Sequence, residues 1–330
     1  MADAGGRAGW ADPRVRLEPT SPRWGSVAFR DELGAWLGDT VGEPLALESI
    51  KLRPWAAVWR VHTDGGVYYA KQNCPGQTDE PTLLAELGRL VPDRVVPLAA
   101  ADLARGLLAT PDQGPVLGTD DDIDTWGRVV AEAMELQRAL VPHGERLADL
   151  GVVTLLPQDA VSYVELQLGR LDGLEPLTTQ LGRVAGWADE VAGLDLPVTL
   201  NHNDLHGNNV FAAAGALRFF DFGDALLTEP LAALLVPLDS LRAQLDTGPD
   251  DSRLARVADA ALEVWSDLVP LTRLRAALPA ALRLGRLARA ESWLRCYPSM
   301  TDAELADYRG AAPRWLLGLI DDPPSGPARG

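Results

Sequence analysis

Cysteine, lysine and long apolar runs are all scarce in this chain of 330 residues. The two cysteines, Cys74 and Cys296, are too few for a disulfide framework or a zinc cluster, so we expect reduced thiols. No uninterrupted run of about 18 apolar residues occurs, which excludes a membrane-spanning helix. The first residues also lack the apolar core of a signal peptide. These absences predict a cytoplasmic protein with no membrane partner.

Positive charge is in short supply as well. The chain has 30 basic and 47 acidic residues, which gives a formal net charge of −17. Such a chain has no surplus cations to exchange for phosphate counterions, and we therefore expect no nucleic-acid partner. An apolar content of 47% is ordinary for a globular protein and too high for a disordered one.

The first third of the sequence predicts strands, and the remainder predicts mainly helices. Two apolar runs, 56–61 and 67–71, flank an Asp-Gly turn, which is a strong hairpin signal. A helix is expected over residues 80–90. The breaker cluster 110–115 marks a boundary, beyond which apolar residues recur with helical spacing, as over 123–140.

These patterns predict three parts and an α+β fold class. Residues 1–24, rich in Gly, Ala, Pro and Arg, are expected to form a disordered tail. Residues 25–110 are expected to form a small β-rich N-lobe, and residues 111–330 a larger, mainly helical C-lobe with a short β insertion.

A polar loop in the β insertion carries the chemistry. Asp204 is followed five residues later by Asn209, and Asp221 comes next in an Asp-Phe-Gly sequence. Phosphoryl transfer needs a carboxylate to accept the hydroxyl proton, an amide and a second carboxylate to hold magnesium, and a lysine to anchor the phosphates. The first three residues fill these roles in order, and Lys71 at the end of a predicted strand fills the last.

The scarcity of lysine strengthens the interpretation of Lys71. Only Lys51 and Lys71 are lysines among the 30 basic residues. A chain that uses arginine almost everywhere retains at Lys71 the compact point charge of an ammonium, which suits a phosphate anchor.

The same residues resemble the signature of the aminoglycoside phosphotransferase and choline-kinase-like small-molecule kinases. That signature is His-x-Asp-x-x-x-x-Asn, then Asp-Phe-Gly or Asp-Trp-Gly with another Asp close behind. It corresponds here to His202, Asp204, Asn209, Asp221 and Asp224. The resemblance implies a bilobal protein-kinase-like fold, ATP and Mg²⁺ as cofactors, and phosphotransferase activity on a hydroxyl of a small molecule.

The resemblance, which covers most of the chain from about residue 45 to 240, also implies catalytic roles. Asp204 would be the catalytic base or the group that orients the acceptor hydroxyl, and His202 would either brace the loop or shuttle a proton. Asn209 and Asp221 would hold Mg²⁺, and Asp224 would either join the magnesium shell or act as a cap.

On the nucleotide side, the resemblance implies that Lys71 contacts the α- and β-phosphates of ATP. Glu80 would hold Lys71 in place, and Glu86 on the same predicted helix is an alternative partner. Main-chain groups near Ala109 to Asp112, Pro111 among them, would contact adenine.

One stretch departs from the protein-kinase pattern. Residues 51–58, where a glycine-rich loop would cover the phosphates, contain no glycine. Arg53 is expected to contribute a charge there instead, and Trp55 occupies the position of the loop tip.

Three other functions stay open from the residues alone. His202, Asp204 and His206 with the later aspartates also suit a metal-dependent hydrolase, although this leaves Asn209 and Lys71 unexplained. A nucleotide-binding pseudokinase is a further alternative. A kinase of a sugar, amino sugar or amino alcohol is the closest one, and either a monomer or a homodimer is expected.

The charge distribution gives a clue to the acceptor. Residues 112–249 hold 22 acidic and 7 basic residues, a net charge of −15, whereas residues 1–111 carry −2 and residues 250–330 carry zero. An acidic lobe would attract a polycationic acceptor such as an aminoglycoside, and the enzyme would then confer antibiotic resistance. A generally acidic soluble surface explains the same distribution equally well.

Overall fold

The hairpin signalled by the Asp-Gly turn lies at the centre of a five-stranded antiparallel sheet. The computed structural model describes residues 9–118, 122–213 and 215–325. The strands of this sheet are β1 (Ala46–Arg53), β2 (Ala56–Thr63), β3 (Gly66–Asn73), β4 (Ala100–Asp102) and β5 (Leu107–Pro111). They lie in the order β1-β2-β3-β5-β4. The register places Lys71 on β3 between Val58 of β2 and Leu108 of β5.

Three helices pack around this sheet and complete the N-lobe: α1 (Ser21–Trp24), α2 (Val27–Thr40) and α3 (Glu80–Leu90). Ser26 is the N-cap of α2, since its side chain accepts a hydrogen bond from the main-chain N–H of Phe29. Phe29, Leu33 and Leu37 recur every four residues and are all buried, so they form one apolar stripe of the helix. The ring of Phe29 contacts Trp59 on β2, which fixes the helix against the sheet.

The C-lobe is mainly helical, as predicted. Its helices are α4 (Ile123–Leu140), α5 (Gly144–Asp149), α6 (Ala160–Leu168), α7 (Leu181–Ala192), α8 (Leu235–Gln244), α9 (Ser252–Leu262), α10 (Leu271–Cys296), α11 (Asp302–Tyr308) and α12 (Ala311–Leu317). The 26-residue α10 is buried along most of its length and packs against α7 and α12. It therefore forms the central axis of the lobe.

Two short strand pairs interrupt the helices and hold the polar loops. β6 (Thr199–Asn201) pairs with β9 (Leu226–Thr228), and β7 (Val210–Ala213) pairs with β8 (Ala216–Phe219). The polar loop over residues 202–209 leaves β6, and the Asp-Phe-Gly segment follows β8. Because β6 lies beside β9 and β7 beside β8, both loops are held side by side.

The expectation of a disordered tail over residues 1–24 is wrong for residues 9–24; residues 1–8 lie outside the described residues. Trp10 Nε1 donates to the Thr154 carbonyl at 3.0 Å, and the Ala11 N–H donates to Glu291 Oε1 at 2.8 Å. Farther along, Trp24 is buried. Composition missed this segment because single aromatic side chains and main-chain groups, rather than a periodic apolar pattern, make these contacts.

Two further observations concern the features that the sequence lacks. Cys74 and Cys296 are both buried and neither is in a disulfide. Among the helices of the described residues, none combines the length and the apolar character needed to cross a bilayer.

Candidate active site

A cavity of about 660 Å³ lies between the sheet of the N-lobe and the polar loops of the C-lobe. Its lining includes Lys71 on β3, Glu80 at the start of α3, Asp204 and Asn209 after β6, and Asp221 after β8. The fold thus brings together residues that are as much as 150 positions apart in the sequence.

The ammonium of Lys71 joins the two lobes. Its Nζ donates to Glu80 Oε2 at 2.5 Å and to Asp221 Oδ1 at 2.6 Å. Burial alone would lower the pKa of Lys71, but the carboxylates of Asp221 and Glu80 outweigh burial and raise this pKa above its ordinary value. Lys71 therefore remains charged.

Glu80 is almost fully buried and uses both carboxylate oxygens. Besides Lys71, Oε2 accepts from Asn73 Nδ2 at 2.5 Å, and Oε1 accepts from the main-chain N–H of Phe222 at 2.9 Å. Glu86, the alternative partner, instead pairs with arginines outside the cavity. The structure therefore places Glu80, rather than Glu86, against Lys71.

Asp221 adopts a left-handed backbone conformation, with φ 64° and ψ 63°. Aspartate tolerates this conformation better than most residues do. Burial would raise the pKa of the Asp221 carboxyl, but the neighbouring Lys71 lowers it by more, so the group is ionised. The left-handed turn places the carboxylate beside Lys71, while the next residue, Phe222, is buried in the core.

Asp204 faces an arginine that the sequence analysis did not identify. Its Oδ1 lies 3.0 Å from Arg289 Nη2, and its Oδ2 lies 3.5 Å from His206 Nε2. Its main-chain carbonyl accepts from Asn209 Nδ2 at 2.9 Å. Burial opposes ionisation of Asp204, but Arg289 and the nearby histidines outweigh burial and hold its pKa well below the ordinary value. Asp204 is therefore a carboxylate at neutral pH.

His202 is not part of the cavity lining, which corrects its assignment as a catalytic group. Its Nε2 lies 2.8 Å from the Phe220 carbonyl, and its Nδ1 accepts from the Asp204 N–H at 3.3 Å. These contacts correspond to a neutral ring protonated on Nε2, and burial lowers the pKa of His202 accordingly. His202 braces the two loops against each other and has no nitrogen left to shuttle a proton.

Asp224 also differs from its expected role as a metal ligand. Its Oδ1 accepts from Gln77 Nε2 at 2.6 Å, and its Oδ2 accepts from Arg289 Nη1 at 2.7 Å. Both oxygens are thus engaged by protein donors. Asp224 thus connects the N-lobe to α10, and these donors take the place of the expected metal.

The remaining donor set fits magnesium. The side-chain oxygen of Asn209 and Oδ2 of Asp221 make no hydrogen bond with the described residues, and both residues line the cavity. An amide oxygen and a carboxylate oxygen are ligands that Mg²⁺ prefers, and this ion usually takes few protein ligands together with phosphate oxygens and water. Among the described residues, no group of three or more His, Cys, Asp or Glu side chains is placed to hold a metal ion.

Two of the residues expected to contact a nucleotide, Ala109 and Arg53, do not line the cavity. Ala109 is fully buried on the opposite face of β5, and its carbonyl accepts from the Ala99 N–H at 2.8 Å, whereas its neighbours Leu108 and Thr110 and the predicted Pro111 line the cavity. Because side chains alternate along a strand, Leu108 and Thr110 lie on the face opposite Ala109, and Pro111 is the last residue of the strand.

Arg53 lies away from the cavity. It ends β1 at the tip of the β1–β2 hairpin and is exposed, so its charge stays in solvent. Lys51, two residues earlier, lines the cavity instead. The adjoining Trp55 also lines the cavity and packs edge-on against Trp293 and Tyr308, at ring-centroid distances of 5.2 and 5.3 Å.

One wall of the cavity comes from α10, for which the sequence predicts a helix and no role in the site. Arg289, Ser292, Trp293 and Cys296 all line it. Their spacing of three, one and three residues places them on a single helical face. That spacing was the available signal, but it is shared by many buried helix faces and did not distinguish this one.

Solved structures share this architecture. An ethanolamine kinase from Plasmodium vivax aligns with a TM-score of 0.59 and 11% identity, covering 83% of this chain and 82% of that chain. Choline kinase LicA from Streptococcus pneumoniae aligns with a TM-score of 0.55 and 12% identity, covering 88% and 99%. A thermostable variant of aminoglycoside phosphotransferase APH(4)-Ia, in complex with ADP and hygromycin B, aligns with a TM-score of 0.53 and 16% identity, covering 87% and 98%.

At these identities the likeness establishes the fold. The predicted bilobal protein-kinase-like α+β architecture is therefore confirmed. No protein-family model matches this chain, and no curated protein matches it in sequence.

Proposed function

We propose that this protein is an ATP- and Mg²⁺-dependent kinase that transfers the γ-phosphate to a hydroxyl of a small molecule. The observation that supports this most directly is the contact of Lys71 with both Glu80 and Asp221 at 2.5 and 2.6 Å, on the same cavity as Asp204 and Asn209. A lysine–glutamate pair beside a metal-binding aspartate, facing a catalytic aspartate, is the arrangement that phosphoryl transfer uses.

Each residue has a defined task in this proposal. Lys71, held by Glu80, would neutralise charge on the α- and β-phosphates. Asn209 and Asp221 would hold Mg²⁺, which supplies positive charge to the phosphate oxygens when it is bound. Asp204 would accept a hydrogen bond from the acceptor hydroxyl and orient its oxygen toward the γ-phosphorus. As the new P–O bond forms, the bond from the γ-phosphorus to the β,γ-bridging oxygen would break, ADP would leave, and Asp204 would take the hydroxyl proton.

The ionised state of Asp204 suits this task. A carboxylate with a lowered pKa is a weak base, so its main contribution would be orientation of the hydroxyl rather than early proton removal. Most of the catalytic gain in such a reaction comes from positioning and from charge stabilisation.

We place the acceptor among small hydroxyl compounds. The compared kinases are named for ethanolamine and choline, and APH(4)-Ia is bound to hygromycin B. An amino alcohol, an amino sugar or an aminoglycoside-like antibiotic are therefore the first candidates, and modification of an antibiotic would confer resistance. Since ATP is the phosphate donor in this proposal, we propose the cytoplasm as the site of the reaction.

The metal-dependent hydrolase finds less support. That function needs ring nitrogens free for metal, and both nitrogens of His202 are engaged by main-chain groups. A hydrolase also gives no role to the buried pair of Lys71 with Glu80. A pseudokinase would bind Mg-ATP without turnover, which the following experiment detects.

The test is an ADP-release screen of the purified protein with Mg-ATP against aminoglycosides, other antibiotics, sugars and amino alcohols. Asp204→Ala should lose at least about 100-fold in kcat and keep its affinity for Mg-ATP. Asp221→Ala should lose Mg²⁺-dependent ATP binding. The exposed Asp172, outside the cavity lining, provides a matched control, and Asp172→Ala should retain wild-type rates. Near-normal turnover by Asp204→Ala would contradict the proposal.

A further inference from the structure

Arg289 is a buried arginine on α10, outside both polar loops, yet it contacts each of them. Nη2 lies 3.0 Å from Asp204 Oδ1, and Nη1 donates to Asp224 Oδ2 at 2.7 Å. Nη1 also donates to the main-chain carbonyl of Asn203 at 2.9 Å. One guanidinium therefore spans the catalytic loop and the segment that follows Asp-Phe-Gly.

The guanidinium is itself held rigidly. Arg289 is only 8% exposed, and its central carbon lies 5.6 Å from the centre of the Trp315 ring. It projects from a helix that is buried along most of its length. A planar guanidinium offers several N–H groups in fixed directions, so it fixes the orientation of both carboxylates that it contacts, whereas the freely rotating N–H groups of an ammonium do not.

The residue before Asp204 is tied to the same helix. Asn203 has a left-handed backbone with φ 63°, and its side chain donates to the Ala288 carbonyl at 3.1 Å and to Ser292 Oγ at 2.9 Å. The chain thus reaches Asp204 directly from an anchor on α10. Contacts with α10 therefore hold Asp204 in place in addition to the contacts within its own loop.

The two carboxylate oxygens of Asp204 have different surroundings. Arg289 engages Oδ1, while Oδ2 is 3.5 Å from His206 Nε2, which is too long for a strong hydrogen bond. Because Asp204 and His206 both line the cavity, Oδ2 is the oxygen available to a ligand there.

We propose that Arg289 is a positioning residue for phosphoryl transfer, which holds Asp204 by Oδ1 so that Oδ2 faces the acceptor hydroxyl. This inference rests on the proposed kinase function. It adds a group from outside the sequence motifs, and it makes α10 the element on which the catalytic carboxylate depends.

A matched pair of arginines tests the inference. Arg283 lies on the same helix and is 9% exposed, but it contacts the Leu319 carbonyl and the segment around Asp322, away from the cavity. Lys and Met substitutions at both positions separate loss of a buried arginine from loss of the contact with Asp204. In Arg289→Met, the carboxylates of Asp204 and Asp224 both lose their arginine. The double variant Arg289→Met/Asp224→Asn removes one of these two charges and replaces the single variant in the assays if that variant does not fold.

Turnover is measured as ADP release with Mg-ATP, using water as the acceptor and then any acceptor found in the screen. Arg289→Met should lose about 100-fold in kcat, and Arg289→Lys about 10-fold, with KM for ATP within about twofold of wild type. Arg283→Met should lower the melting temperature about as much as Arg289→Met does and keep kcat within about twofold of wild type. If Arg289→Met and Arg283→Met have equal kcat, or if only KM for ATP changes, Arg289 has no positioning role.

Crystal structures of wild type and Arg289→Lys give a readout that does not need activity. The Asp204 carboxylate should have one orientation in wild type and should turn away or occupy two orientations in the variant. A carboxylate with an unchanged, single orientation would overturn the inference. If wild type instead neither binds Mg-ATP nor releases ADP, the kinase function fails, and the crystal structures still decide what holds Asp204.

Discussion

Glu291 offers a sharp test of how the N-terminal segment is held. It lies on α10, is completely buried, and accepts hydrogen bonds from the Ala11 N–H at 2.8 Å and from the Tyr163 hydroxyl at 2.9 Å. Burial raises the pKa of Glu291 from 4.5 to about 7, although these hydrogen bonds and nearby arginines oppose the change. We predict that Glu291→Gln stabilises the protein at alkaline pH and has little effect at acidic pH.

The direction of this pH dependence of stability follows from proton linkage. Because the folded pKa is raised, the folded state binds the proton more tightly than the unfolded chain does. Stability is therefore greatest below the unfolded pKa of about 4.5 and is lost as the pH rises through about 7. A Gln amide has no charge to bury, and its oxygen and NH₂ group can still serve Ala11 and Tyr163.

The magnitude can be worked from the same values. One pH unit of difference in pKa corresponds to about 1.36 kcal/mol, so a pKa raised from 4.5 to about 7 costs wild type about 3 kcal/mol at alkaline pH. An unfolding entropy of about 2.1 cal/mol/K per residue gives roughly 0.7 kcal/mol per degree for a chain of 330 residues. The expected shift in melting temperature is therefore about 4–5 °C.

Differential scanning calorimetry of both proteins between about pH 5 and pH 8 makes the comparison. The variant should melt at nearly the wild-type temperature at the acidic end and about 4–5 °C higher at the alkaline end. The buried Glu229, whose pKa burial also raises to about 7, contributes a dependence of the same sign to both proteins and cancels in the difference. A constant difference across the pH range would refute the reasoning, since it would show that Glu291 does not titrate there.

Two other pairs of variants test the site and its loop. Glu80→Gln should lower kcat/KM for Mg-ATP by about 10-fold or more because it weakens the hold on Lys71, whereas Glu86→Gln should stay within about twofold; equal effects in ADP-release assays would argue against the pairing. Gly207→Ala should destabilise the protein by about 1–3 kcal/mol, since a Cβ there would lie 1.9 Å from a main-chain carbonyl oxygen, while Gly34→Ala, with nothing within 4 Å, should be neutral or stabilising in thermal unfolding.

Local patterns predicted those parts of the fold that neighbouring residues determine. The helix expected over 80–90 is α3, and the one expected over 123–140 is α4. The Asp-Gly turn between apolar runs produced the β2–β3 hairpin. The spacing of Asp204 and Asn209 within one loop was equally informative, because that loop is short and both side chains reach the same cavity.

Long-range contacts were not predictable in this way. Arg289 lies 85 residues beyond Asp204, on a helix with several other arginines, and nothing local distinguishes it. The contacts of Asp224 could not be predicted for the same reason, since its two partners lie 147 residues before it and 65 residues after it. The motif identified which groups are present, but only the packing of α10 shows which carboxylates remain free for a ligand.

The acidic excess takes on a more limited meaning once the cavity is defined. Among the described acidic residues over 112–249, three line the cavity, namely Asp204, Asp221 and Asp224. Each of these carboxylates lies within 3.0 Å of Lys71 or Arg289. The other acidic residues that the structure describes in this stretch lie outside the lining. Salt screens their field over about 8–10 Å, and this field affects association rate more than recognition. The net charge would therefore speed the association of a cationic acceptor without selecting it. The choice among acceptors would depend on the wall formed by α10 and Trp55, so neutral hydroxyl compounds are equally good candidates.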